Sequence, residues 1–110
     1  MAKNARLATK YLDRVIDINF YPVEKASSSN SRWRPVGLGA MGLQDVFFRM
    51  GIAFDSPEAK KLSKNIQAEI YFNALKTSCE LAKEHGPHDT YQDTRAAKGE
   101  LQPDLSLIHI

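Results

Sequence analysis

The order of hydrophobic and polar residues along the chain predicts three helices separated by polar or glycine-rich segments. The first helix is expected to end near Asn19, because Pro22 cannot continue it. Its apolar residues recur at helical spacing and predict one buried face. They are Leu7, Ala8, Tyr11, Leu12, Val15 and Ile16. The serine-rich residues 26–32 that follow are expected to form a polar loop.

A short apolar segment and a short helix come next. Residues 35–40, Pro-Val-Gly-Leu-Gly-Ala, are apolar enough and short enough for a buried strand. Helical spacing resumes at Leu43 and stops at Gly51, a residue suited to the left-handed cap of a helix. The pattern therefore predicts a strand, a tight glycine turn and a short helix.

The longest helix is expected to begin at Ser56-Pro57, since serine can cap a helix and proline suits the first helical position. It is expected to end at Gly86-Pro87. Its apolar residues predict a second buried face, made of Leu62, Ile66, Ile70, Ala74, Leu75 and Cys79. Residues 88–104 lack periodicity and predict an irregular arm. The fold class predicted for the chain is mainly α with one short strand.

Composition and charge narrow the class of protein. A chain of 110 residues that is 43% hydrophobic and 25% charged is typical of one soluble globular unit. The net charge of +2 is too small to predict a nucleic-acid interface. No apolar run is long enough to span a membrane, and no signal peptide is recognisable, so a cytoplasmic location is expected. A single cysteine excludes an internal disulfide framework.

Gly37, Gly39 and Gly42 spell G-x-G-x-x-G, the spacing found in dinucleotide-binding turns. Such a turn needs a second parallel strand after its helix, whereas the sequence after Gly51 leads directly into the longest helix. We therefore favour tight backbone packing over phosphate binding as the reason for these glycines.

Cys79 and two histidines are the other candidates for chemistry near the end of the longest helix. Cys79 lies on the apolar side of that helix and precedes Glu80, so a small buried hydrophobic residue is favoured over a reactive thiolate. His85 and His88 flank Gly86-Pro87 but lack a third metal ligand, and surface histidines are the favoured interpretation.

Asp13 and Asp17 lie one helical turn apart and resemble a carboxylate pair. Nothing in the sequence gives them different environments, so we expect a solvated face or a salt bridge to Arg14 or Lys10. Trp33 is expected to be a structural anchor before the strand rather than a base-stacking residue. Residue chemistry alone thus assembles no active site.

Four blocks of sequence resemble the large subunits of class I ribonucleotide reductases, in the order and near the spacing of that family. The blocks are residues 15–22 (VIDINFYP), 29–42 (SN, then RPVGLGAMG from position 34), 78–87 (SCELAKEHGP) and 98–104 (KGELQ, then Asp104). The resemblance implies a ten-stranded α/β barrel that converts ribonucleoside diphosphates to deoxyribonucleotides by radical chemistry. It also implies a homodimer, a partner subunit that generates the radical at a metal centre, and nucleotide effectors.

The resemblance assigns no catalytic, cofactor-binding or metal-binding residue to this chain. The family's chemistry needs at least three cysteines, and Cys79 matches none of the reactive positions. The matching residues of the second block are expected to serve the barrel as a structural motif. They are Arg34, Pro35, Gly37, Gly39 and Gly42.

We expect residues 1–104 to be an internal fragment of the barrel domain. Residues 105–110, Leu-Ser-Leu-Ile-His-Ile, depart from the family pattern and match the translation of a transposon end used in sequencing libraries, so an adaptor-derived tail is expected. Two alternatives stay open. One is a free-standing helical interaction module that docks a partner through Val46, Phe47 and Phe48, and the other is a fragment of a cobalamin-dependent reductase.

Overall fold

The computed structural model describes residues 1–102, so the tail predicted at 105–110 lies outside the described residues. Within them the chain forms four α helices and two 3-10 turns. The helices are α1 (Ala2–Ile18), α2 (Glu24–Trp33), α3 (Leu43–Met50) and α4 (Pro57–His85), and the turns are Tyr91–Asp93 and Ala96–Lys98. The mainly helical part of the predicted fold agrees with this. Within the described part of the chain, no helix is long and apolar enough to cross a membrane.

The strand predicted at residues 35–40 is wrong, since residues 1–102 contain no strand. A strand exists only where a neighbouring extended segment satisfies its backbone N–H and C=O groups. The rest of residues 1–102 is helical, turned or irregular, and supplies no such neighbour. Residues 34–42 are instead irregular, and Val36 is 47% exposed. Short apolar composition alone therefore did not identify a strand here.

The loop predicted at residues 26–32 is also wrong, because this stretch lies inside α2. Serine and asparagine lower helix propensity by only a few tenths of a kcal/mol each, and no glycine or proline interrupts residues 24–33. Asn30 donates its side-chain amide to the Ala26 carbonyl at 2.9 Å, within the helix itself. The helix ends at Arg34, which adopts the left-handed conformation with φ 45° and ψ 50°.

The predicted end of α1 and the predicted boundaries of α3 and α4 are confirmed. Gly51 adopts φ 65° after α3, and the next N–H, from Ile52, donates to the Phe47 carbonyl at 2.9 Å. Ser56 caps α4 by accepting a hydrogen bond from the Ala59 N–H at 3.1 Å. Local capping interactions thus determine these helix ends, independently of packing between helices.

The main packing contact of the chain joins α1 to α4. Arg6 on α1 pairs with Glu80 on α4 at 2.7 Å, and Asp17 near the end of α1 feels the charge of His85 at the end of α4. The buried residues of the two helices are mostly small or polar: Ala5, Thr9 and Ile16 on α1, and Ala59, Ile70, Asn73 and Thr77 on α4.

The surface predicted for the alternative interaction module is only partly exposed. Phe47 is 2% exposed and contacts Phe54 edge-to-face, with ring centroids 6.2 Å apart. Val46 and Phe48 are 38% and 73% exposed. Phe47 therefore belongs to the small core around α3 and is not available to a partner.

Candidate functional site

The most densely connected polar cluster in residues 1–102 centres on Arg34. Its Nη1 and Nη2 atoms lie 2.7 and 3.0 Å from the two carboxylate oxygens of Asp17. Its Nε atom lies 2.9 Å from Asp13 Oδ1, and Nη2 also donates to the Asp13 carbonyl at 2.9 Å. The guanidinium therefore joins the end of α2 to two successive turns of α1.

The hydrogen bonds of this cluster favour the ionised forms of Asp17 and Arg34. The hydrogen bond from Arg34 lowers the pKa of Asp17 below its ordinary value; burial opposes this shift, and the charge of Arg34 adds to it. Hydrogen bonds to Asp17 and then to Asp13 raise the pKa of Arg34. Both partners are held in their ionised forms, so the arrangement favours a permanent ion pair over proton transfer.

The partner of the two aspartates differs from the sequence prediction. We expected solvent or a salt bridge to Arg14 or Lys10, whereas the partner in the structure is Arg34. The sequence of α1 alone cannot identify Arg34 as the partner, because Arg34 follows α2 and meets α1 only in the folded chain. The only sequence signal was the spacing of Asp13 and Asp17, which places both carboxylates on one side of α1.

A second cluster ties the C-terminal arm to the end of α2. Thr90, which is 3% exposed, donates its hydroxyl to the Arg32 carbonyl at 3.2 Å. The Nδ1 atom of His88 lies 3.1 Å from the same hydroxyl oxygen. The His88 ring lies between Trp33 and Tyr91, at centroid distances of 6.5 and 6.0 Å. Trp33 was predicted to anchor the start of a strand that residues 1–102 do not contain, and its side chain stays 47% exposed.

The residues of the predicted structural motif share one irregular segment. Pro35, Gly37 and Gly39 are exposed, and a Cβ added at either glycine would meet no atom within 4 Å in this chain. Gly42 adopts φ 79° as the N-cap of α3, a conformation that disfavours other residues. Within residues 1–102, therefore, local contacts and backbone conformation explain the residue type at Arg34 and Gly42. No contact in these residues requires glycine at positions 37 and 39.

Cys79 and the histidines form no reactive or ligating group with their neighbours. The prediction that Cys79 is buried is wrong, because its side chain is exposed on α4. His85 is exposed as predicted, whereas His88 is half-buried. In the part of the chain that the structure describes, no three His, Cys, Asp or Glu residues are grouped to hold a metal ion.

Comparison with known proteins places this helical segment in a family. The family described as "Ribonucleotide reductase, barrel domain" matches residues 1–107. The ribonucleoside-diphosphate reductase large subunit of Arabidopsis thaliana is 49% identical over 105 residues, which are 96% of this chain and 13% of that protein. The large subunits of Caenorhabditis elegans and vaccinia virus (strain Copenhagen) are each 47% identical, over 96% and 91% of this chain and 13% of each relative.

The chain therefore spans about 13% of the length of the curated relatives that it matches. The match covers all four helices, the Arg34 cluster and the arm, and it is not restricted to the glycine-rich segment. On this evidence the chain belongs to the ribonucleotide reductase barrel-domain family.

Proposed function

We propose that this chain is a segment of the large subunit of a ribonucleoside-diphosphate reductase, the enzyme that makes deoxyribonucleotides for DNA synthesis by radical chemistry. The observation that carries the proposal is the 49% identity over 96% of the chain to a protein of that name. The cobalamin-dependent alternative and the free-standing module find no comparable support. The domain boundary that we propose is residues 1–104, although the family match itself reaches residue 107.

The segment contributes scaffold to the enzyme and no reacting group. Two features of residues 1–102 support this role. The lone Cys79 is isolated on the surface of α4, and the acidic residues Asp13 and Asp17 are committed to Arg34. The pKa of Asp17 is lowered by its hydrogen bond from Arg34, so this carboxylate is a poor acid or base near neutral pH. The reaction itself would then depend on residues of the large subunit outside this segment.

The Arg34 cluster sets the direction in which the glycine-rich segment leaves α2. Arg34 is both the left-handed C-cap of α2 and the residue held by α1, so the direction of the chain at Pro35 is set by two helices at once. Gly37 and Gly39 then leave room for a close approach by other parts of the large subunit.

The family resemblance extends the proposal to partners. The substrate is a ribonucleoside diphosphate, as the names of the relatives state for those proteins. The large subunit forms a homodimer in the cytoplasm, binds nucleotide effectors and receives its radical from a smaller subunit with a metal centre. Residues 1–102 offer no cluster of ligands that fits this centre, and we place neither the metal nor the effectors on this segment.

The test is to recover the complete gene and to assay its product together with the small subunit. We expect a reading frame that continues on both sides of this segment and encodes further cysteines, and a purified protein that converts ribonucleoside diphosphates to deoxyribonucleoside diphosphates. A gene that encodes these 110 residues alone would refute the proposal, as would a longer product without reductase activity.

A further inference from the structure

One buried hydroxyl group joins the irregular arm to the end of α2. Thr90 is 3% exposed, and its Oγ1 atom lies 3.2 Å from the backbone carbonyl oxygen of Arg32 and 3.1 Å from Nδ1 of His88. Thr90 and Arg32 are 58 positions apart in the sequence, so the contact brings together distant parts of the chain. Because a hydroxyl has only one hydrogen, the two partners of Thr90 cannot both accept from it.

This single hydrogen determines which nitrogen of His88 carries a proton. A carbonyl oxygen can only accept, so the Thr90 hydroxyl donates its hydrogen to Arg32. Nδ1 of His88 is then the donor to Thr90 Oγ1 and carries a hydrogen of its own. Two forms of the ring meet this requirement, the neutral tautomer protonated at Nδ1 and the imidazolium cation, and they differ only at Nε2.

Two aromatic rings restrict the position of the half-buried His88 ring. Its centroid lies 6.5 Å from that of Trp33, at the end of α2, and 6.0 Å from that of Tyr91, whose ring is nearly perpendicular to it. The charged or titratable side chains next to it along these elements are Arg32, Asp89 and Tyr91, and those of Arg32 and Asp89 are exposed. Among residues 1–102, no carboxylate forms an ion pair with His88. Ring packing and the hydrogen bond to Thr90 therefore hold the imidazole in place.

We propose that His88, protonated at Nδ1, and Thr90 form a latch that holds the arm on the C-terminal end of α2 whether or not Nε2 is protonated. Histidine ordinarily changes charge between about pH 5 and 8, and a contact in which the ring nitrogen accepts is lost when that nitrogen is protonated. In the His88–Thr90 contact the ring donates, so both charge states of His88 keep it. The arm therefore stays attached two residues before Arg34, where the chain leaves α2, throughout this pH range.

The test is hydrogen–deuterium exchange of residues 88–98, measured by mass spectrometry in the full-length protein that contains this chain. The amides of Tyr91 and Asp93 donate to the carbonyls of His88 and Thr90, so their exchange reports opening of the arm. Thr90→Val removes the hydroxyl and is expected to accelerate this exchange about two- to ten-fold, the effect of one lost hydrogen bond. Thr90→Ser keeps the hydroxyl and is expected to exchange near the original rate.

A matched pair of substitutions at position 88 tests where the proton lies. The amide nitrogen of asparagine and Nδ1 of histidine are both bonded to Cγ, whereas the amide nitrogen of glutamine is one bond further from the backbone. His88→Asn is therefore expected to protect residues 88–98 more than His88→Gln does, although both variants lose the ring. His85→Gln, at the exposed end of α4, is the control and should leave this exchange unchanged. Equal or greater protection in His88→Gln overturns the assignment of the proton to Nδ1.

The dependence of the exchange on pH tests whether the latch survives protonation of the ring. The ratio of the exchange rates of Thr90→Val and the original protein at one pH cancels the intrinsic effect of pH on amide exchange. We expect this ratio to stay constant from about pH 5.5 to pH 8, the range in which histidine ordinarily titrates. A ratio that falls to one as the pH is lowered overturns the latch, and so does unchanged exchange in Thr90→Val at every pH.

Discussion

Two parallel hydrogen bonds join Arg34 to Asp17, from Nη1 to Oδ1 at 2.7 Å and from Nη2 to Oδ2 at 3.0 Å. This fork-to-fork geometry is specific to a guanidinium and a carboxylate. Asp13 accepts two further hydrogen bonds from Arg34, one at its carboxylate from Nε and one at its backbone carbonyl from Nη2. One side chain therefore holds α1 and α2 together, where α2 has no buried residue of its own.

Removing the Arg34 side chain is expected to destabilise the chain measurably. Arg34→Ala should lower the free energy of unfolding by about 1–2 kcal/mol, a value kept small because the Asp17 side chain is 57% exposed. Arg34→Lys keeps the charge but loses the fork, so we expect an intermediate loss of about 1 kcal/mol. Urea unfolding followed by circular dichroism measures both.

The control for this series is Arg49→Ala, which removes the same side chain from an exposed position on α3. We expect a change within about 0.5 kcal/mol. If Arg34→Ala is no more destabilising than Arg49→Ala, the cluster is only a surface contact.

The same cluster predicts how stability depends on pH. The pKa of Asp17 is lowered by the hydrogen bond from Arg34, so its ionised form is favoured in the folded chain. A lowered pKa stabilises the fold above the unfolded value of 3.8, and this contribution is lost as the pH falls through the folded value. Asp17→Asn should therefore destabilise the chain at neutral pH and make little difference well below pH 3.8.

The measurement is a comparison of unfolding curves for the original chain and Asp17→Asn across the acid range. Asp45→Asn, on the exposed surface of α3, is the matched control. A difference between the original chain and Asp17→Asn that stays constant down to the lowest pH would contradict the assignment of the pair.

Helix ends could be predicted from the sequence, because their causes are local. Ser56, Gly51 and Gly86 specify caps through residues a few positions away, and the structure places each helix end there. The buried faces were less predictable. Thr77 is fully buried on α4, whereas Tyr11 and Val15 are exposed on α1, since burial depends on which helix packs against which and how much of the protein is present.

The errors at residues 26–32 and 35–40 have a different origin. Each was predicted from composition over a few residues, serine-rich in one case and apolar in the other. The outcome depends on more distant atoms: the arm and α1 hold the end of α2 through Thr90 and Arg34, and a strand needs a partner. The Arg34 cluster itself was missed for the same reason, since its members lie 17 and 21 positions apart.

Alanine substitutions at Gly42 and Gly39 test whether these two glycines of the structural motif have different roles. Gly42→Ala is expected to cost about 1 kcal/mol in the isolated chain, because alanine is strained at φ 79°. Gly39→Ala should be neutral or slightly stabilising there, since a Cβ meets nothing within 4 Å. Thermal unfolding of the two variants measures the difference. Equal losses would contradict the local account of Gly42.

The effect of Gly39→Ala can also be measured in the full-length subunit. If Gly39 permits a close approach by other parts of the protein, Gly39→Ala becomes destabilising only in the larger context. A Gly39→Ala variant as stable as the original in both contexts would contradict the proposed role of this glycine in the motif.

The most direct test of the whole account is the reductase activity of the full-length large subunit with Cys79→Ser, assayed with the small subunit beside the unsubstituted enzyme. We expect both proteins to convert ribonucleoside diphosphates to deoxyribonucleoside diphosphates at similar rates, because Cys79 lies exposed on α4 and the proposal gives it no part in the radical chemistry. Loss of activity on this substitution, with the protein still folded, would contradict a purely structural segment. Absence of activity in the unsubstituted protein would contradict the proposed enzyme.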